Sequence, residues 1–463
     1  MRRHTAAPLT ALAAILALLR LILAGGAAAQ SKPPSQADTG QYSDARAVQL
    51  NSEGMQLYQD GKIDEAIAKY RQVLERLPNF PEALDNLALA LESKGNDDEA
   101  IADLQKSLGL RPRNAVAYSN LGLAYLHQRR YEDSVAAYQK AIDLRSDFPE
   151  AYNGLGAALM AAGKSSDAIA AYRRALELRP DYVDAMNNLG VAFQHNHQPD
   201  AAIDLYQKAL ALHPKAKDIQ TNLASALREA GRNDEARAAY ERAVQSDPGD
   251  AIAWHQLGQL QLAQRHYEDA VASFEKTLQI NPKQPDADFS LGSAYYQLGR
   301  YPEAAISYEK ELAMKPGDAD ALYGLGNAYF RQNKLDEAIA DYQKALAAKP
   351  DYPDALLSLG SAQYSKGDLD AAATSFRKYL ERRPDDAEAR FNLGNALYNH
   401  GDYTLAIDAY HDTLRLKPDL ARAHYNLGMA LIGQRDFKAA RAEFLEANKL
   451  DSTLTAPKGL PDK

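Results

Sequence analysis

The sequence predicts an all-α chain built of about twelve tandem helix hairpins. Three observations predict it. Pro180, Pro214, Pro248, Pro282, Pro316, Pro350, Pro384 and Pro418 recur every 34 residues, Pro78 and Pro112 fall on the same grid, and only Ser146 and Ser452 break it. Blocks counted from Ala47 carry apolar residues at the helical spacing i, i+3, i+4, i+7. Glycine recurs at the fifteenth place of a block (Gly61, Gly95, Gly163, Gly231, Gly299, Gly367, Gly401), where a left-handed residue ends a helix.

Taken in order, the elements begin with residues 1–29, which read as an export signal. Arg2 and Arg3 precede an apolar stretch from Leu9 to Ala24, and small residues surround Ala27, Ala28 and Ala29, so cleavage near Ala29 is expected. Arg20 interrupts the apolar run, and the alternative is an uncleaved segment that anchors the chain to a membrane. On the first reading the mature chain is periplasmic or secreted, and loss of three arginines moves its formal charge from −9 to −12. Residues 30–46, with Pro33 and Pro34 among small polar side chains, read as a flexible linker. Twelve blocks of 34 residues then fill 47–454, and 455–463 is a short tail.

Within a block, places 4, 7, 8 and 11 form one buried stripe: Tyr152, Leu155, Gly156 and Leu159 in the fourth block, Met186, Leu189, Gly190 and Phe193 in the fifth. Places 20, 24, 27 and 28 (Ala168, Tyr172, Ala175, Leu176) form the stripe of a second helix, and the proline at place 32 prevents it from continuing. The last block puts Arg441 and Asn448 at places 21 and 28, which are apolar in most other copies, and so reads as a polar cap. Gln220, Ala224, Asn233 and Arg237 sit at usually apolar or glycine places, which marks the sixth block as a softer joint.

This register resembles the tetratricopeptide repeat family. The family pattern stands in Tyr118, Leu121, Gly122, Tyr125, Tyr138 and Ala141, and again in Trp254, Leu257, Gly258, Ala270, Phe274 and Pro282. The resemblance covers about nine-tenths of the chain. It implies antiparallel helix pairs stacked into an α-α superhelix, a right-handed solenoid whose first helices line a concave face, and a scaffold that binds other proteins or extended peptides there. An alternative it also suggests is an assembly factor for envelope polysaccharide or secretion machinery. The lysines with which some relatives clamp a C-terminal carboxylate are missing: no lysine occupies place 5, and place 2 offers only Arg422 as a base.

The candidate binding residues lie off the buried stripe, at places 2, 5, 6, 9, 12 and 13. Place 6 is asparagine in half the blocks: Asn86, Asn120, Asn188, Asn222, Asn392 and Asn426. An amide both donates and accepts, so such a row can grip peptide backbone whatever its side chains, as a similar row does in the repeats of O-GlcNAc transferase. The competing reading is hydrogen bonding between neighbouring repeats. Later blocks turn aromatic, with Phe289, Tyr323, Phe391 and Tyr425 at place 5 and Tyr296, Phe330, Tyr364 and Tyr398 at place 12. These rings form either a recognition track over residues 285–420 or packing between neighbouring first helices. Acids at place 2 (Glu82, Glu150, Asp184, Asp218, Asp286, Asp320, Asp354, Glu388) have Asp147, Asp181, Asp351 or Asp385 three residues before four of them. They read as capping boxes, with a groove for basic peptides as the competing view.

Catalytic signals are poor. With no cysteine, thiolate chemistry, disulfides and thiolate metal sites are excluded. His195 and His197 are the only close histidine pair and fall in a turn, and Gly154 and Gly324 mimic a dinucleotide fingerprint only in mid-helix. The expectation is a non-catalytic chain without cofactor, metal, nucleic acid or small-molecule substrate, for which self-association is open. The net charge of −9 argues against general binding to nucleic acid.

Overall fold

A computed structural model describes residues 44–458, so the expected export segment and residues 30–43 of the expected linker lie outside the described residues. Among those described, 24 α-helices occur and no strand, and no helix is long and apolar enough to cross a membrane. The chain divides after Asp247 into two units. In the first, the hairpins are Ala45–Gln59 with Ile63–Arg76, Pro81–Glu92 with Asp97–Leu110, Ala115–His127 with Tyr131–Leu144, Pro149–Ala161 with Ser165–Leu178, Val183–His195 with Pro199–Leu212, and Lys217–Glu229 with Asn233–Ser246. In the second they are Ala251–Ala263 with Tyr267–Ile280, Ala287–Gln297 with Tyr301–Met314, Ala319–Arg331 with Leu335–Ala348, Pro353–Lys366 with Leu369–Leu380, Ala387–His400 with Tyr403–Leu416, and Ala421–Gly433 with Phe437–Leu450. Within each unit a helix packs chiefly on its hairpin partner and next on the helix that follows, so each unit is an all-α solenoid. The first helix starts at Ala45, two residues ahead of the counted first block, and Asp44 caps it.

Each hairpin is locked by one contact. Place 24 holds a fully or nearly fully buried side chain in every repeat, aromatic in all but Leu104: Tyr70, Tyr138, Tyr172, Tyr206, Tyr240, Phe274, Tyr308, Tyr342, Phe376, Tyr410 and Phe444. It faces place 8 of the first helix, where a Cβ on Gly190 would stand 2.5 Å from Tyr206 Cε1, and one on Gly258 2.7 Å from Phe274 Cε1. Only a glycine admits the ring at that separation. Ala88 is tolerated because its repeat has Leu104 instead of a ring, whereas Ala224 stands in a repeat that keeps Tyr240.

Place 15 is left-handed in all twelve repeats, but five do without glycine: Arg129, His197, Arg265, Asn333 and Arg435 have φ between 55° and 65°. The turn's hydrogen bonds therefore hold these residues in a conformation that disfavours a Cβ.

Two expectations about helix starts are corrected. Asp147, Asp181 and Asp351 cap nothing, because the residues at the helix boundary are Phe148, Tyr182 and Tyr352. Side-chain capping comes from place 34 instead, where Asn114, Asp250, Asp318 and Asp386 each accept amide protons of the first turn. Three acids of place 2 pair with a base at place 31 of their own repeat: Glu82 with Arg111 at 2.7 Å, Asp286 with Lys315 at 2.8 Å, and Glu150 with Arg179. Those acids are thereby neutralised across the hairpin base.

On the last helix Arg441 is exposed, while Asn448 is half-buried and donates to the Ser452 carbonyl at 3.2 Å. Leu445 is 72% exposed at a place that is polar or charged in every earlier repeat, from Arg71 to His411.

Candidate functional site

The asparagine row is built from the first helices, and the structure shows what holds its amides. Asn86 Nδ2 donates to Asn51 Oδ1 at 3.2 Å, Asn188 to Asn153 at 3.0 Å, and Asn222 to Asn187 at 2.9 Å. In each pair place 6 of one repeat bonds place 5 of the repeat before it. In the second unit Asn426 Nδ2 instead donates to Asn395 Oδ1 at 2.8 Å. Asn120 and Asn392 make no side-chain hydrogen bond among the described residues, and both are half-buried. Asn187 and Asn188, two amides inside an apolar stretch, are 2% and 3% exposed and tie a helix to the ones before and after it. A buried amide that lost its partner would cost the full desolvation penalty, so these pairs fix the repeat-to-repeat register.

A second ladder runs alongside. Tyr58 and Ser93 bond through their hydroxyls at 3.0 Å, and Asn399 Nδ2 donates to the Tyr364 hydroxyl at 2.6 Å, joining place 12 to place 13 of the next repeat. A third interaction passes through the hairpin itself. Three buried tyrosines of place 24 reach place 9 of their own first helix: Tyr308 donates to Ser293 Oγ, Tyr342 to Asn327 Oδ1 and Tyr410 to Asn395 Oδ1, at 3.3, 2.8 and 2.9 Å.

The aromatic residues divide by place. Rings at place 5 lean on the place-24 ring of the same repeat: Phe289 on Tyr308, Tyr323 on Tyr342, Phe391 on Tyr410 and Tyr425 on Phe444, with centroids 5.3–5.9 Å apart. Phe391 is buried, and the other three are half-buried. Rings at place 12 lie further out. Tyr296 and Tyr398 touch Tyr301 and Tyr403 at 5.3 and 5.6 Å, and Tyr296, Phe330, Tyr364 and Tyr398 are all half-buried. Each keeps part of a face toward solvent.

In the second unit rings and amides converge on one hollow of about 270 Å³, lined by Tyr364, Asn395, Tyr398, Asn399, Tyr425, Asn426 and Met429. Three successive first helices, Pro353–Lys366, Ala387–His400 and Ala421–Gly433, supply these side chains. Partial burial holds the Tyr398 hydroxyl above its usual range, with Tyr403 and Tyr425 adding to the effect, so it stays protonated and can donate. The hollow offers ring faces, a thioether and amide groups, and no charge.

The first unit carries acids in the corresponding region. Asp85 is pushed up to about 6 by burial, although Asn114 donates to it at 2.8 Å and Arg111 lies beside it. Glu92, at place 12, is 4% exposed with neither carboxylate oxygen bonded, and burial holds it well above its usual range. Sequence reading missed this residue, although an acid at a place that is Leu126, Met160 or Leu262 elsewhere was the available signal. His195 and His197 are exposed in their turn. Gly154 and Gly324 face the rings of Tyr138 and Tyr308, so they are packing glycines.

Comparison with known proteins places this face in a family. The tetratricopeptide repeat pattern matches ten stretches of the chain (52–115, 102–149, 119–183, 153–209, 188–251, 255–319, 307–353, 323–387, 357–420 and 391–453). The chain belongs to the tetratricopeptide repeat family. No curated protein matches it. Among solved structures it is similar to a thermophilic tetratricopeptide repeat protein of Thermus thermophilus, at 25% identity, over 39% of this chain and 98% of that one, with a TM-score of 0.36. It is similar also to MamA, at 30% identity over 35% and 95% with a TM-score of 0.32. A third is YrrB, described as having an unusual peptide-binding site, at 24% identity over 40% and 95% with a TM-score of 0.35. The family is a repeat scaffold of the kind used in protein–protein interaction.

Proposed function

We propose that this chain is a non-catalytic scaffold that binds an extended peptide segment of a partner protein along the exposed face of its first helices, centred on the hollow between Tyr364, Tyr398 and Tyr425. The convergence of three half-buried rings with amides on that hollow carries the reading. The amide of Asn399 is bonded to Tyr364, which orients the ring edge before any ligand arrives. Ring faces and Met429 suit an apolar side chain, and amide groups suit the backbone on either side of it. The lack of charged lining favours a neutral apolar anchor over a phosphorylated or strongly basic one. Selection of peptides from a random library, followed by affinity measurement, tests this. Tyr364→Ala, Tyr398→Ala and Tyr425→Ala should each weaken the selected peptide by about 1–2 kcal/mol while helical circular dichroism stays the same. Unchanged affinity in all three would overturn the site.

Export belongs to the same proposal. The basic start, the apolar core and Ala27–Ala29 support removal of residues 1–29 and a partner in the periplasm or outside the cell. Amino-terminal sequencing of the mature protein should begin at Gln30, and a chain that begins at Met1 would contradict it.

A further inference from the structure

The eighth repeat departs from the others inside its core. Place 4 is a large apolar residue in repeats such as those of Tyr118, Tyr152, Leu322 and Leu356, but here it is Asp288. Place 27 is alanine in six repeats (Ala141, Ala175, Ala209, Ala243, Ala345, Ala447), but here it is Glu311. Asp288 is 4% exposed and Glu311 is fully buried. Burying a carboxylate is expensive unless something pairs with it, so two in one hairpin call for a cation.

The cation within reach is Lys315. Its Nζ lies 2.8 Å from Asp286 Oδ1 and 2.8 Å from Glu311 Oε1. This is the place-2 to place-31 pair seen at Glu82 and Arg111, but one ammonium now serves two acids, and more carboxylates stand nearby. Carboxylate oxygens of Asp286, Glu311 and Asp318 all lie within 4.8 Å of one another. Glu311 Oε2 is buried with no hydrogen-bond partner. Asp288 makes no hydrogen bond or ion pair among the described residues, and its buried Oδ1 has no partner. The charges that act on Asp288 are those of Glu311, which repels it, and Lys310. A single ammonium thus leaves buried oxygens on Glu311 and Asp288 unsatisfied.

We propose that this cluster is a divalent-cation site of the calcium type, in which Asp286, Glu311 and Asp318 supply oxygens and the Lys315 ammonium is the resident that the ion displaces. The donors are oxygens only, which suits a hard cation. Calcium accepts irregular, flexible sets of oxygens at about 2.3–2.6 Å, as carboxylates drawn from three different segments would supply, whereas magnesium demands near-ideal octahedral geometry at about 2.0–2.1 Å. The Lys315 side chain is 44% exposed on a flexible stem, so its ammonium can move to water when the ion enters. Asp286 and Asp318 precede the first helices of the eighth and ninth repeats, and Glu311 lies on the second helix between them. The ion therefore ties two repeats together where their first helices begin.

Titration calorimetry and thermal melting of the chelator-treated full chain, with calcium, magnesium and sodium chlorides at matched ionic strength, decide the matter. Calcium should bind once per chain and raise the melting temperature. Glu311→Ala, which restores the residue of six other repeats and should fold, is expected to weaken calcium by at least about tenfold. Lys315→Gln removes the competing ammonium and should tighten it several-fold. Absence of calcium binding at millimolar concentration, equal affinity in Glu311→Ala, or no tightening in Lys315→Gln would each overturn the site. An equal response to magnesium would overturn the calcium assignment.

Discussion

A buried hydroxyl is worth what its partner makes it. The place-24 tyrosines share one ring position, yet their hydroxyls meet different surroundings, at place 9 for Tyr308, Tyr342 and Tyr410 and at place 12, on Gln194, for Tyr206. Tyr342 donates to Asn327 at 2.8 Å, whereas Tyr172 faces a repeat in which place 9 is Ala157, and its hydroxyl is buried with no partner. Burial pushes both hydroxyls far above the usual tyrosine range, so neither ionises under ordinary conditions. Tyr172→Phe should therefore stabilise the chain by about 1 kcal/mol, and Tyr342→Phe should destabilise it by a similar amount. Chemical denaturation of the two variants checks the opposite signs. Side-chain partners of this kind were only half legible in the sequence. Spacing put Asn187 and Asn188 off the apolar stripe, but a one-dimensional pattern cannot say that place 6 reaches back 35 residues to place 5. The amide pairs become visible only when neighbouring repeats are set side by side.

Helices were far more legible, because their signal is periodic and repeated twelve times. The 34-residue grid, the stripe at places 4, 7, 8 and 11 and the glycine of place 15 all fall where hairpins form. Caps were misplaced by one residue, from place 33 to place 34, since an aspartate on either side of the boundary looks alike in sequence. The eighth repeat also starts its first helix late, at Ala287, with Asp286 left-handed at φ 60°. Between the helices of a hairpin, the glycine of place 8 is the strictest element. Gly190→Ala would drive a Cβ to 2.5 Å from the Tyr206 ring. It should cost about 1–3 kcal/mol, even though alanine is the better helix former. Ala88→Gly, facing Leu104 in place of a ring, should cost only about 1 kcal/mol through helix propensity. Melting temperatures of the pair separate a packing penalty from a propensity penalty.

At the scale of the whole molecule, a repeat array is a chain of nearest-neighbour contacts, so its weakest hairpin sets where it opens. The sixth hairpin, at whose end the chain divides into its two units, is where opening is expected. Gln220 replaces an apolar residue there, with its Oε1 buried and unbonded, and Ala224 adds a Cβ opposite Tyr240. Hydrogen exchange should therefore be faster in Lys217–Glu229 than in Val183–His195 or Ala251–Ala263. Equal protection in all three would contradict this. The substitutions that single out that block were legible from composition alone, and so was the polar Arg441 of the last helix. The exposed Leu445 was not, because its place carries no apolar signal in the other repeats and so drew no comparison.

The hydroxyl that Tyr410 sends to Asn395 has a consequence for anyone who wishes to re-engineer this face. Asn395 lines the hollow, yet its oxygen also accepts from the tyrosine that locks the hairpin and from the next repeat's Asn426. A library that randomised every lining residue would unfold many of its members before any ligand was tried. Around this hollow, Tyr364, Tyr398 and Asn399 at places 12 and 13 stand outside that core wiring, apart from the bond from Asn399 to Tyr364, and can be diversified together. Asn426 and Asn395, at places 6 and 9, are better left as they are, so the repertoire of this hollow is set by roughly two variable positions per repeat.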